Sequence, residues 1–156
     1  MGDSAGGGLI TSAVSILNKK KNAANLRRII MISPWVDLRN NSHSVEENRA
    51  IDPVFTKEGL GYFASLYIGN NKLSEINPME TLFGRFPPTL ILVGSNEILL
   101  DDSTTIYKKI SAKQPVSKLS IYENETHVWL MGDIQSKSSK KAINEIKNFI
   151  AANETT

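Results

Sequence analysis

The sequence contains no cysteine. Disulfides, thiolate metal sites and a cysteine nucleophile are therefore excluded, although the compartment is left open. Histidine is scarce: two occur among 156 residues, so imidazole chemistry rests on His43 or His127. A surplus of one charge is also missing, since 18 Lys and Arg face 16 Asp and Glu, leaving +2 at pH 7. That balance supplies no broad electrostatic footprint for nucleic acid or an anionic membrane. The basic stretches at Lys19–Lys21 and Lys137–Lys141 read as solvated helix faces or ends. Long hydrophobic runs are absent as well. The longest, near Ile29–Ile32 and Leu90–Val93, are far too short to span a bilayer. Residues 1–8 are Gly-rich and carry Asp3 where a secretory signal needs a basic segment. A cytoplasmic chain with no nucleic-acid partner and no stable membrane insertion is the expectation.

What is present is ordinary for a folded domain: 40 % hydrophobic and 22 % charged residues, enough apolar content to exclude intrinsic disorder. The length fits a single domain. After a glycine-rich opening, Leu9, Ile10, Ala13, Val14, Ile16 and Leu17 recur at helical spacing, and Lys19 to Asn22 close the run. Arg28–Ile32 and Thr89–Val93 are short and apolar on both faces, as buried parallel strands are. Lys118–Tyr122 alternates as a third strand. Residues 39–53 read as a polar surface loop, and Gly69–Pro88, with three prolines, as a connector or part of a lid. Helices are expected over Thr56–Tyr67, about Asp102–Lys113 and about Ser138–Ala152, the last with an apolar stripe of Ala142, Ile143, Ile146, Phe149 and Ile150. Strands alternating with helices predict an α/β architecture with a parallel sheet.

Gly2-Asp3-Ser4-Ala5-Gly6 fits G-x-S-x-G, the nucleophile elbow. A serine on a sharp strand-to-helix turn sits in a strained backbone, and side chains two residues away on either side would collide. Small residues there let the Ser4 hydroxyl project above the sheet at the positive end of the next helix. The Ala5 N–H can then stabilise an oxyanion formed by attack on a carbonyl. A phosphate loop is excluded because no Gly-Lys-Ser/Thr follows, and G-x-G-x-x-G is not matched. A base for Ser4 is sought in the loops at the carboxyl edge of the sheet, where open α/β sheets place their sites. His127, after the strand ending at Tyr122, stands there; His43 lies in the polar loop and reads as solvated. Three carboxylates follow the preceding strand: Glu97, Asp101 and Asp102. Glu97 is at the natural reach for orienting an imidazole, whereas Asp101 and Asp102 stand where a helix begins and suit capping.

Taken together, Gly2–Gly7, Ser33-Pro34-Trp35-Val36-Asp37-Leu38, Pro87–Gly94, Asn96–Ser103 and Thr126–Trp129 resemble the C-terminal half of an α/β-hydrolase of the hormone-sensitive-lipase group. The resemblance covers the whole chain in the right order. It implies Ser4 as nucleophile, His127 as general base and Glu97 as the acid, 30 residues earlier, with Asp101 in reserve. Asp37 would be structural beside the site. Residues 42–83 would form a lid- or pocket-like insertion within one domain spanning 1–156. The implied reaction is acyl transfer on short- to medium-chain carboxylic esters, with a small-molecule ester as partner and neither metal nor organic cofactor. No His-Gly-Gly-Gly stretch for the family's oxyanion hole occurs. The chain thus reads as a truncated fold lacking its N-terminal strands, with an impaired reaction. Arg28–Ile32 would become a bare apolar sheet edge, favouring a homo-oligomer or a need for the missing half. A non-catalytic binding or assembly module is the alternative. The sequons Asn40-Asn41-Ser42, Asn124-Glu125-Thr126 and Asn153-Glu154-Thr155 carry no weight without a signal peptide.

Overall fold

Two short strands that are buried on both faces organise the chain. A computed structural model describes residues 1–21, 26–82 and 84–152. Asn22, expected at the close of the first helix, Phe83 at the end of the 42–83 segment, and the sequon at 153–155 lie outside the described residues. The elements run β1 (Gly2–Asp3), α1 (Ala5–Lys19), β2 (Ile29–Ile32), α2 (His43–Glu47), α3 (Lys57–Ile68), α4 (Leu73–Ile76), α5 (Pro78–Thr81), β3 (Thr89–Gly94), α6 (Leu100–Ser111), β4 (Lys118–Tyr122), α7 (Trp129–Gly132) and α8 (Lys137–Ala151). The strands form one sheet in the order β1-β2-β3-β4, every pairing parallel.

Every residue of β2 and β3 is buried, and successive side chains point to opposite faces. Ile29, Met31 and Ile91 enter one core cluster with Val14 of α1 and Ile106 and Ile110 of α6. Ile30, Ile32, Leu90 and Leu92 enter the other with Ala142 and Phe149 of α8. A sheet apolar on both faces needs such helices on both sides. A third cluster, Trp35, Leu38, Val45, Leu60, Ala64, Ile98 and Leu99, ties α2 and α3 to the loops that follow β2 and β3.

The expected bare edge at Arg28–Ile32 is corrected over its last two residues. β1 pairs with β2 there, Gly2 opposite Met31 and Asp3 opposite Ile32, so the outer strands are β1 and β4, while Ile29 and Ile30 have no β1 partner. The alternation expected of Lys118–Tyr122 is imperfect, because both Lys118 and Ile121 face solvent on an outer strand. Four short helices were not visible in sequence: α2 inside the polar loop, α4 and α5 inside the connector, and α7 just after His127. They span only four or five residues each, too short for a hydrophobic period to declare itself. Thr56 caps α3 as expected, accepting a hydrogen bond from Gly59 N–H at 3.0 Å. Among the described residues, no helix is long and apolar enough to cross a membrane.

Candidate active site

Three loops at the carboxyl ends of β1, β3 and β4 carry the candidate residues. Those after β3 and β4 meet through Glu97 and His127, and the one after β1 borders a cleft whose wall includes Phe55, which touches His127. Ser4 occupies the one residue between β1 and α1, at φ 50° and ψ −123°, a region that costs a non-glycine residue about 1–3 kcal/mol. Its backbone is fixed there: Ser4 N–H donates to the Ile32 carbonyl at 3.0 Å, and its own carbonyl accepts from Gly7 and Trp35, each at 2.9 Å. Steric need is distributed differently from the elbow expectation. A Cβ on Gly2 would lie 2.9 Å from Gly6 backbone, whereas one on Gly6 would meet nothing within 4 Å. The tight positions are Gly7 and Gly8, whose added carbons would fall 2.4 Å from Pro34 and 2.5 Å from the Trp35 carbonyl. Those glycines let α1 lie directly on the Pro34-Trp35 turn. Ala5 opens α1, where the first N–H groups have no intrahelical acceptor.

Glu97 and His127 meet. His127 Nδ1 lies 3.0 Å from Glu97 Oε2, with the Glu97 side chain fully buried and that of His127 only 5 % exposed. The other carboxylate oxygen of Glu97 accepts from the Ser33 hydroxyl at 2.7 Å and from Gly94 N–H at 2.6 Å. Gly94 must be glycine-sized, since a Cβ would stand 2.2 Å from the Glu125 carbonyl. The loop bearing Glu97 is tied down further: Asp52 accepts from Ile98 N–H at 2.9 Å, and the Asn48 amide donates to the Ser95 and Glu97 carbonyls. Phe55 sets its ring edge-on to the His127 imidazole, with centroids 4.7 Å apart. Because Nδ1 faces a carboxylate, the hydrogen-bond network assigns its proton there and leaves the Nε2 lone pair available as a base. Among the described residues, neither the Ser4 hydroxyl nor Nε2 is hydrogen-bonded; such contacts commonly tighten only when substrate arrives.

The remaining candidates are placed elsewhere. Asp101 does not approach His127; it accepts from Ser44 N–H at 2.8 Å and so steadies the start of α2. Asp102 is buried, and one of its oxygens accepts from Val36 and Asp37 N–H, each at 2.8 Å. Burial pushes its carboxyl up to about 7, against the pull of those two donors. Both aspartates do stand in the first turn of α6, but their side chains bind other elements and the cap residue is Leu99. Asp37 bonds Arg39 and, at 3.0 Å, the buried Asn77 amide. Burial pushes the Asp37 carboxyl up, but the hydrogen bonds from Arg39 and Asn77 together outweigh it and hold it below the usual carboxylate range. Among the described residues, His43 is solvated and pairs with Glu47. Among the described residues, no cluster of three or more His, Asp or Glu side chains could hold a metal ion.

A cleft of about 370 Å³ opens beside Ser4 and Ala5, lined by Leu9, Trp35, Phe55, Leu60, Phe63 and Tyr67 among others. Its wall is aromatic and aliphatic. Ser33, Asp52 and Phe55 also bear on the site, but nothing local in the sequence marks a residue that acts on it from another loop.

Comparison with known proteins fits this geometry. Residues 1–131 match the family model described as the alpha/beta hydrolase fold. The chain belongs to the α/β-hydrolase fold family. An esterase of Acinetobacter venetianus is 28 % identical over 151 residues, covering 95 % of this chain and 50 % of that protein. An acetyl-hydrolase of Streptomyces hygroscopicus is 29 % identical over 131 residues, 82 % of this chain and 43 % of its own length. A crystal structure of an esterase from the bacterial hormone-sensitive lipase family superposes with a TM-score of 0.85 at 32 % identity, covering 95 % of this chain and 50 % of that one. This bears out the resemblance read from the sequence. The chain spans about half the length of the relatives it matches.

Proposed function

We propose that this chain carries the nucleophile, base and acid of a serine carboxylic ester hydrolase. The observation that carries the proposal is the buried Glu97–His127 hydrogen bond, set beside a cleft that opens at the strained Ser4 turn. In the reaction, the Ser4 Oγ attacks the ester carbonyl while His127 Nε2 takes its proton. The Glu97 carboxylate holds the imidazole tautomer and stabilises the imidazolium. The Ala5 N–H, at the start of α1, donates to the oxyanion. Imidazolium then protonates the departing alkoxide, leaving Ser4 acylated. Water, deprotonated by the same imidazole, attacks the acyl-enzyme, releases the carboxylic acid and restores Ser4.

The apolar lining supports esters with a short to medium apolar acyl group, and we read residues 42–83 as the segment that shapes this pocket. The names of the related esterase and acetyl-hydrolase support the same substrate class. Losing one oxyanion donor typically costs about 10²–10³ in rate. With no His-Gly-Gly-Gly stretch to supply a second donor, we infer that these 156 residues alone hydrolyse esters weakly and that the full rate belongs to a longer protein or an assembly. The test is labelling by a fluorophosphonate, together with hydrolysis of p-nitrophenyl acetate and butyrate. Labelling at Ser4, abolished by Ser4→Ala, is the expected result. A folded chain that reacts no faster than Ser4→Ala would mark a binding or assembly module instead.

A further inference from the structure

We propose that Ser33 is a positioning residue whose single hydroxyl sets Glu97 and the His127 turn relative to each other; this rests on the hydrolase reading above. Ser33 follows β2, on a loop distinct from those bearing Ser4, Glu97 and His127. It is fully buried, and its N–H donates to the Leu92 carbonyl at 2.7 Å, which pins it to β3. Its Oγ lies 2.7 Å from Glu97 Oε1 and 3.1 Å from the backbone N of Val128. The direction of both bonds is fixed by chemistry. A backbone N–H can only donate, so Oγ accepts from Val128, and the one hydroxyl proton is left for the carboxylate.

Both ends of this relay matter to the imidazole. On the Glu97 side, Ser33 and Gly94 occupy Oε1, which leaves Oε2 turned to His127 Nδ1. On the other side, Val128 immediately follows His127 and holds φ 53° and ψ 34°. A β-branched residue is a genuine outlier there, and it persists only where neighbouring structure over-determines it. The Ser33 hydroxyl is one of the contacts that do so. Ser33 is itself at φ 48°, a conformation that glycine adopts without strain. Serine is the costlier choice for this backbone, and what it adds over glycine is the hydroxyl.

That same comparison supplies the test on the full 156-residue chain. Ser33→Gly removes the hydroxyl while suiting the backbone, so loss of fold is not the expected consequence. The direct readout is the low-field proton resonance of the His127 Nδ1–H bonded to Glu97, assigned by its loss in His127→Ala. In Ser33→Gly the resonance is expected to move upfield or broaden by exchange with water. The fluorophosphonate labelling rate is expected to fall roughly 10–100-fold, the size of losing a hydrogen bond to a charged group. A residue that merely stabilises the fold would lower the melting temperature and leave the resonance and the labelling rate of the folded chain unchanged; that result overturns the proposal. Should Ser33→Gly not fold, Ser33→Cys, close in volume and a weaker donor, replaces it. An intermediate displacement then supports the proposal, and a resonance identical to the parent's overturns it. If the parent is never labelled, the hydrolase reading fails, while the resonance still decides whether Ser33 sets the Glu97–His127 geometry.

Discussion

The two halves of the candidate site are built to different standards. On the acid–base side, each Glu97 oxygen is engaged, the His127 ring is boxed by Glu97 and Phe55, and the loops are cross-tied by Asn48 and Asp52. On the serine side, the backbone is equally well fixed, but among the described residues the hydroxyl has no hydrogen bond, and the cleft wall is open. Phe63 is 50 % exposed and Leu9 57 % exposed, both lining the cleft. On the proposed hydrolase reading, the difference reflects what each side would contribute: acid and base are preorganised before substrate arrives, whereas the nucleophile's surroundings must admit it. Burial of Glu97 is tolerable because three donors meet it; an unpaired buried carboxylate would cost several kcal/mol.

The largest effect should come from breaking the closed half. Glu97→Gln keeps the size of the side chain but removes its charge. With its amide oxygen held by the Ser33 and Gly94 donors, its NH2 group would face His127 Nδ1 and impose the wrong imidazole tautomer. In serine triads an acid-to-amide change of this kind costs about 10⁴ in rate. Fluorophosphonate labelling of Ser4 is expected to fall by that order. If Glu97→Gln labelled at the parent's rate, Asp101 would have to be reconsidered, although it now binds Ser44.

A smaller effect should appear in the frame of the open half. Asp102 holds Val36 and Asp37, next to Trp35, whose N–H binds the Ser4 carbonyl. Its carboxyl is raised from 3.8 to about 7, first by burial and then by the neighbouring Asp37 and Asp101 charges. The sign follows directly. A group whose pKa is higher in the folded state contributes stability fully below its ordinary value, and that contribution is lost as pH rises through the folded value. Asp102→Asn keeps an acceptor oxygen but cannot ionise. Its stability relative to the parent should therefore climb between pH 4 and pH 7, by about 4 kcal/mol at most. Urea denaturation at several pH values measures this; parallel curves would remove Asp102 as the titrating group.

How much of this was legible beforehand depended on range. β2 and β3 were readable because short apolar runs need only their own residues to declare themselves, and β4 was found from its alternation although that is imperfect. Ser4, Ala5, Glu97 and His127 could be nominated as candidates because the elbow spacing and chain order confine them to three loop positions; of these, Glu97 and His127 meet, and Ser4 and Ala5 border the cleft. Asp102 was misread as a cap, since a carboxylate in a helix's first turn gives no sign that it faces another loop 65 residues away. Ser33 was hidden for the same reason: its partners are 64 and 95 residues distant. Gly7 and Gly8 stood out only as part of a glycine-rich opening, because contact with Pro34 and Trp35 exists only once α1 lies on that turn.

The smallest effect separates two depths on one face of a single helix. In α3, Leu60 is buried at 1 % exposure and anchors the third core cluster, whereas Phe63 stands half exposed on the cleft wall. Trimming Phe63 to Ala removes little packed surface, so stability should stay within about 0.5 kcal/mol of the parent. Its ring nevertheless faces whatever occupies the cleft, and one methylene of apolar contact is worth about 0.8 kcal/mol. Phe63→Ala should therefore change the ratio of p-nitrophenyl butyrate to acetate hydrolysis several-fold while leaving labelling of Ser4 by a small fluorophosphonate unaltered. An unchanged ratio would mean that the acyl group does not reach this wall, and that the open half admits substrate without selecting it.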